Sequence, residues 1–210
     1  MRYFVVFFLL FSWLGLPNVQ AATADEARSF VNDIGQRVLS IVNGYTDAAQ
    51  KQQQLRQTFA ENVDMDWMGQ FVLGRAWAQA SEEERNRYLQ AYRAYVIARY
   101  TTNFADYADS NYTITGVKNE SDGQVTVGME VKSPHAEQQE TQAGYRLRSD
   151  NGKFKIIDII IEGVSLLTTQ LSEFAARRAR IYDAIGSEAV ALMQGLPSVH
   201  SSAIFRQSNE

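Results

Sequence analysis

The chain has 210 residues, 45% of them hydrophobic and 21% charged, the proportions of a folding globular protein rather than a disordered or collagen-like one. Its formal net charge is −4, from 20 Lys+Arg against 24 Asp+Glu, so the basic excess of a nucleic-acid module is missing and no nucleic-acid partner is expected. With 0 Cys and only 2 His, disulfide scaffolds, thiolate metal sites and cysteine nucleophiles are excluded, little is left for zinc or Ser-His-Asp chemistry, and no metal or cofactor is expected.

The N-terminus carries one basic residue, Arg2, and then an apolar run from Tyr3 to Leu16. Pro17 and Asn18 break that run, and small residues follow at Ala21, Ala22 and Ala24. This order of n-region, h-region and A-x-A-like segment is that of a secretory signal peptide. The apolar run is shorter than the roughly 20 residues a spanning helix needs, and no Cys follows it to mark a lipoprotein. Residues 1–21 are expected to be a cleaved signal peptide, residues 22–195 a single domain, and residues 196–210 a flexible C-terminal tail.

From Asp25 to Val42 the apolar residues Ala27, Phe30, Val31, Ile34, Val38, Ile41 and Val42 recur at helical spacing, and Gly44 stops the helix. A second helix is expected over Ala48 to Phe59, polar on most faces, and a third over Asp64 to Leu73, ended by Gly74. Ser81 followed by Glu84 is a capping box. The helix it opens carries Tyr88, Leu89, Tyr92, Tyr95, Val96, Tyr100, Phe104 and Tyr107.

The period then changes to two. Tyr112 to Val117 reads as a strand, and Val125, Val127, Met129 and Val131 alternate with polar or small residues in a half-buried second one. Asp122-Gly123 between them is a hairpin signal. Ala143, Tyr145 and Leu147 alternate in a third strand, and Asn151-Gly152 marks the turn into a fourth over Lys153 to Ile161. That strand is apolar on both faces, so it is expected to be central or covered twice. Pro134 to Glu140 is a polar loop. After Glu162-Gly163 a helix capped by Ser165 carries Leu167, Leu171 and Phe174, and a last one is expected over Tyr182 to Met193. Helices, then consecutive hairpins, then helices describe a helix-rich α+β domain with one antiparallel sheet of about four strands.

Few residues suggest chemistry. Asp158 sits inside the apolar run Ile156 to Ile161, where a carboxylate can serve as a general base. The structural alternative is an Asp that hydrogen-bonds backbone, or a Tyr, where the strand bends. The lack of an accompanying His, Cys or second carboxylate favours that alternative. His135 has no second ligand at metal-binding spacing and reads as a solvated loop residue. Arg177, Arg178 and Arg180 either complement a helix dipole or form a docking patch for anionic lipid or an acidic partner. The stripe of Tyr88, Tyr92, Tyr95, Tyr100 and Phe104 reads as a core face, with a ligand cavity as the alternative because each Tyr has a polar tip. No Gly-rich nucleotide loop, nucleophile elbow or EF-hand pattern is found.

Two stretches together resemble the MlaC family, also called toluene-tolerance proteins, periplasmic phospholipid-binding shuttles. The first is Val72-Leu73-Gly74-Arg75-Ala76-Trp77 with Ser81, Glu83, Arg85, Tyr88, Tyr92 and Tyr100. The second is Tyr145-Arg146-Leu147, then Asn151 to Ile159, then Ile161-Glu162-Gly163-Val164-Ser165-Leu166. With Phe59 to Asp64 the likeness spans most of Phe30 to Phe174. Phe154 stands where Trp is usual, and Leu171 where Arg is usual, so a polar role at that position is not carried over.

The resemblance implies a curved sheet and helices that enclose an apolar pocket for acyl chains, with no catalysis. It implies a periplasmic carrier of phospholipid between outer and inner membranes, serving an ABC-transporter-linked pathway of outer-membrane lipid asymmetry. Its partners would be an inner-membrane MCE-ring ABC transporter complex and an outer-membrane lipoprotein complex, and the chain is expected to be a monomer. The expected lipid-binding residues are Met68, Phe71, Val72, Tyr92, Val96, Tyr100, Val127, Met129, Tyr145, Leu147, Ile159, Val164 and Leu167. The competing classes are a small-molecule isomerase or dehydratase using Asp158, and a non-enzymatic envelope adaptor.

Overall fold

The computed structural model describes residues 19–101, 107–134, 140–150 and 153–183. Several expectations lie outside those residues: the signal peptide up to Asn18, Phe104, the loop around His135, the Asn151-Gly152 turn, the last helix beyond Asp183, and the tail with His200. The side chains of Arg177, Arg178 and Arg180 are likewise outside the description.

The apolar stripe read from Asp25 belongs to a longer helix, α1 (Val19–Gly44), whose first turns hold Ala21, Ala22 and Ala24, all strong helix formers. Helix α2 (Ala48–Asn62) is capped by Asp47, whose carboxylate accepts the Gln50 N–H at 2.7 Å. Asp64 does the same for α3 (Met65–Leu73), accepting the Trp67 N–H at 3.0 Å. Gly74 ends α3 at φ 59°, ψ −127°, a backbone conformation that a Cβ strongly disfavours. The sequence reading passed over the short helix that follows, α4 (Arg75–Gln79). Arg85 explains the neighbouring Trp: its Nε donates to the Trp77 carbonyl at 2.9 Å while its guanidinium lies 5.1 Å from the Trp77 ring centre.

The capping box forms as read. Ser81 donates backbone N–H and hydroxyl to the Glu84 carboxylate, each at 2.7 Å, and opens α5 (Glu82–Thr101). These bonds, the hydroxyl first, hold the Glu84 carboxyl below its ordinary pKa. Helices α3 and α5 cross closely at Gly69. A methyl group there would come within 2.9 Å of Leu89 Cδ2 and 3.0 Å of Tyr92 Cδ1, and the Tyr88 hydroxyl donates to the Gly69 carbonyl at 3.1 Å.

Five strands follow: β1 (Asn111–Asn119), β2 (Val125–Lys132), β3 (Thr141–Asp150), β4 (Lys153–Ile161) and the two-residue β5 (Val164–Ser165). They pair antiparallel in chain order, β1-β2-β3-β4-β5, one more strand than expected because β5 is too short to leave a periodic signal. The Asp122-Gly123 turn is a single 3-10 turn with both residues at positive φ. Helix α6 (Leu166–Asp183) leaves the sheet directly from β5.

Strand β4, expected to be central or covered twice, is an interior strand of the order, between β3 and β5. On one edge it pairs with β3; on the other, Ile161 meets Val164 of β5 while Ile156 forms a parallel bridge with Val63, its carbonyl accepting the Asp64 N–H at 2.8 Å. Arg146 opposes Asp158 and Leu147 opposes Ile156, which leaves Ile157 as the extra residue of a bulge. The bulge breaks the alternation, so Ile156, Ile157 and Asp158 are all buried in succession. The main core joins α1, α3, α5 and the sheet through Val31, Met68, Val72, Tyr92, Val96, Val127 and Leu147. No described helix is long and apolar enough to cross a membrane.

Candidate functional site

One face of the sheet is used in two ways along its length. At the end where Val125, Val127 and Leu147 lie, it is packed core, with Val127 and Leu147 fully buried. Toward the other end the same face borders a cavity of about 780 Å³, walled by Tyr112, Met129, Val131, Ala143, Tyr145, Ile159 and Ile161. That volume lies within the roughly 300–1,000 Å³ usual for small-molecule sites.

Four helices close the cavity: α5 adds Arg99 and Tyr100, and the other three each present one face at i, i+3, i+4, i+7 spacing. Helix α1 supplies Val31, Ile34, Gly35 and Val38, and α2 supplies Leu55, Thr58, Phe59 and Asn62. Helix α6 supplies Leu166, Thr169, Gln170 and Glu173. Among its wall residues Asn111, Glu162 and Val164 are exposed and mark the rim.

Part of the polar lining is connected through Gln170. Gln170, 1% exposed, accepts the Tyr92 hydroxyl at 2.6 Å and donates from Nε2 to the Tyr100 hydroxyl at 2.6 Å. Arg99 also donates to the Tyr100 hydroxyl and sits 3.9 Å from the Glu173 carboxylate. Burial, and then the neighbouring phenols, push Tyr92 well above the ordinary phenol range. Burial pushes Tyr145 up to about 12. These hydroxyls are neutral hydrogen-bonding groups near neutral pH, not bases. Among the described residues, no group of three or more His, Asp or Glu is arranged to hold a metal.

Asp158 faces away from such a role. Its Oδ2 accepts the Ser165 hydroxyl at 2.6 Å, its Oδ1 accepts the Leu167 N–H at 3.0 Å, and Arg146 lies 3.7 Å away. The carboxylate is fully buried and engaged at the start of α6, the structural role weighed for it in the sequence.

An apolar hollow closed by a helix-flanked antiparallel sheet is what the resemblance implied, and residues 19–181 match the family model described as MlaC protein. The chain belongs to the MlaC family. No curated protein matches it. Among solved structures, a phospholipid-binding protein from Ralstonia solanacearum, solved in complex with a phospholipid, is similar to it. The TM-score is 0.66 at 22% identity, over 80% of this chain and 99% of that one, a likeness of fold.

Of the thirteen residues expected to bind lipid, Tyr100, Met129, Tyr145, Ile159 and Val164 of this MlaC-family chain line the cavity. Val72, Tyr92, Val96, Val127, Leu147 and Leu167 lie in the packed core behind it. Met68 borders a separate void of about 10 Å³, too small for a ligand. Phe71 is 42% exposed and stacks on Trp67, with ring centres 5.4 Å apart. The sequence reading named no wall residue from α1 or α2. The α1 stripe of Val31, Ile34 and Val38 was visible but is indistinguishable from a core stripe, and α2 is too polar overall for Leu55 and Phe59 to stand out.

Proposed function

We propose that this chain is a periplasmic phospholipid-binding protein that carries lipid between the outer and inner membranes. The observation that carries the reading is the cavity of about 780 Å³, walled mostly by apolar side chains and opening past Glu162 and Val164. Acyl chains would lie along Val31, Ile34, Phe59, Met129, Tyr145 and Ile159, with the head group toward the rim. Moving a methylene out of water is worth roughly 0.8 kcal/mol, so a two-chain lipid needs such a shelter to leave a bilayer. The wall need only approach the bilayer's own free energy, and small shifts then reverse loading.

On this reading residues 1–21 are removed on export and residues 22–195 act as one monomeric lipid-binding domain. An inner-membrane MCE-ring ABC transporter complex and an outer-membrane lipoprotein complex are its partners in maintaining lipid asymmetry. The polar groups of the wall serve binding rather than bond chemistry, because the buried carboxylate Asp158 is committed to Ser165 and Leu167.

Native mass spectrometry of protein from a periplasmic extract, followed by solvent extraction, tests the reading. The expected result is a chain starting at or near Ala22 with phospholipid bound, and transfer of labelled phospholipid between vesicle populations. Protein that emerges empty and takes up no phospholipid from vesicles would overturn it.

A further inference from the structure

Among the described residues the cavity wall brings opposite charges together at one place. Among its described residues Arg99 of α5 is the single cationic side chain, and Glu173 of α6 stands 3.9 Å from it. Their side chains are 12% and 30% exposed, so both are shielded yet reachable. We infer that Arg99 and Glu173 form a clamp for a zwitterionic phospholipid head group, the phosphate on Arg99 and the ammonium on Glu173. The inference rests on the lipid-carrying reading above and deepens it by naming the head-group class.

Three observations carry it. The first is the pair's separation, longer than the roughly 2.7–2.9 Å of a charge-assisted hydrogen bond. The two groups attract without closing on each other, and the guanidinium fork has five donors in a geometry suited to phosphate. The second is support from behind. The guanidinium lies 5.9 Å from the Tyr95 ring centre and donates to the Tyr100 hydroxyl, which Gln170 also holds. A binding group fixed in this way loses little freedom when it engages a ligand.

The third is the balance of charge. Among the described residues the wall has two carboxylates, Glu162 and Glu173, against one guanidinium. Glu162 Oε1 already accepts the Gln142 N–H at 2.6 Å, which leaves Glu173 as the carboxylate beside Arg99. A purely anionic head group would gain Arg99 and meet Glu173 as a like charge. A phosphate joined to an ammonium by a two-carbon link satisfies both at once.

The test uses the full exported chain, stripped of lipid and equilibrated with vesicles of equimolar phosphatidylcholine and phosphatidylglycerol with identical acyl chains. Native mass spectrometry then reads the ratio of bound lipids. Wild type should favour phosphatidylcholine about threefold to fivefold, the scale of a partly exposed charge interaction. Glu173→Gln should bring the ratio close to one, and Arg99→Gln should lower loading of both lipids. Equal loading by wild type, preference for phosphatidylglycerol, or an unchanged ratio in Glu173→Gln would overturn the clamp while leaving the carrier standing. Loading of neither lipid would overturn the carrier reading itself. The wild-type ratio needs no substitution, so a variant that fails to fold does not remove the test.

Discussion

Asp158 of β4 holds the first turn of α6: its Oδ1 accepts the Leu167 N–H at 3.0 Å while Oδ2 accepts the Ser165 hydroxyl at 2.6 Å. Ser165 in turn accepts the Thr168 N–H through its Oγ at 3.0 Å. A buried carboxylate thus meets the positive end of a helix dipole and one of its unpaired N–H groups, while Ser165 satisfies a second. Asp158→Asn keeps one acceptor but turns an N–H pair toward the Ser165 hydroxyl and removes the charge facing Arg146. Stability should fall by about 1–3 kcal/mol in urea unfolding, with phospholipid per folded molecule unchanged. A measurable enzymatic turnover that disappears in this variant at unaltered stability would restore the isomerase or dehydratase reading.

The division of the sheet face gives a paired prediction. Val127 is fully buried in packed core, so Val127→Trp overpacks it and should cost about 1–3 kcal/mol. Ile159 borders the cavity, so the added ring of Ile159→Trp has empty volume to enter. The lipid-free Ile159 variant should unfold close to wild type while its lipid loading drops sharply. Thermal unfolding after lipid removal and phosphorus per protein decide between the two. Equal destabilisation by both substitutions would mean that the wall at Ile159 does not yield space to a ring.

Thr58 lines the cavity on α2, and its hydroxyl oxygen is buried with no hydrogen-bond partner among the described residues. Thr58→Val keeps the branched shape and removes that unsatisfied group. It should stabilise the lipid-free protein by about 1 kcal/mol, read as a shift of the denaturant midpoint at constant slope. A loss of stability would show that the hydroxyl finds a partner in solution.

The buried tyrosines predict alkaline sensitivity. Burial raises the phenols of Tyr88, Tyr92, Tyr100 and Tyr145 in the folded chain, while in the unfolded chain they ionise near 10. The folded state therefore holds these protons more tightly. Their contribution is fully present below about pH 10 and is lost as pH rises toward the folded values. Ultraviolet titration should show these phenols silent until unfolding, with the melting temperature falling steeply above about pH 10. Full phenolate titration in a still-folded chain would contradict the burial.

The elements were legible because their signals are local. The Ser81–Glu84 box, the Asp122-Gly123 turn and the alternation of Val125, Val127 and Met129 each depend on a few neighbouring residues. The short pieces α4 and β5 were not legible, since five and two residues carry no period. The site was legible only in part, for a physical reason. An apolar residue facing a void and one facing another side chain obey the same pattern, so Met129 and Val127 look alike although one borders the cavity. Arg99 and Glu173 lie on different helices and gain meaning only once α5 and α6 are side by side.

A wall that faces a hollow is not dehydrated by folding in the way a filled core is. Positions such as Ile34, Val131, Ile159 and Val164, none of them fully buried, remain in contact with solvent in an empty cavity, and the heat capacity of unfolding scales with newly exposed apolar surface. The empty chain should therefore unfold with a smaller heat-capacity increment, and a shallower dependence on denaturant, than a solid core of the same length. Cargo that fills the cavity adds apolar contacts which unfolding must break, so loading should steepen both responses.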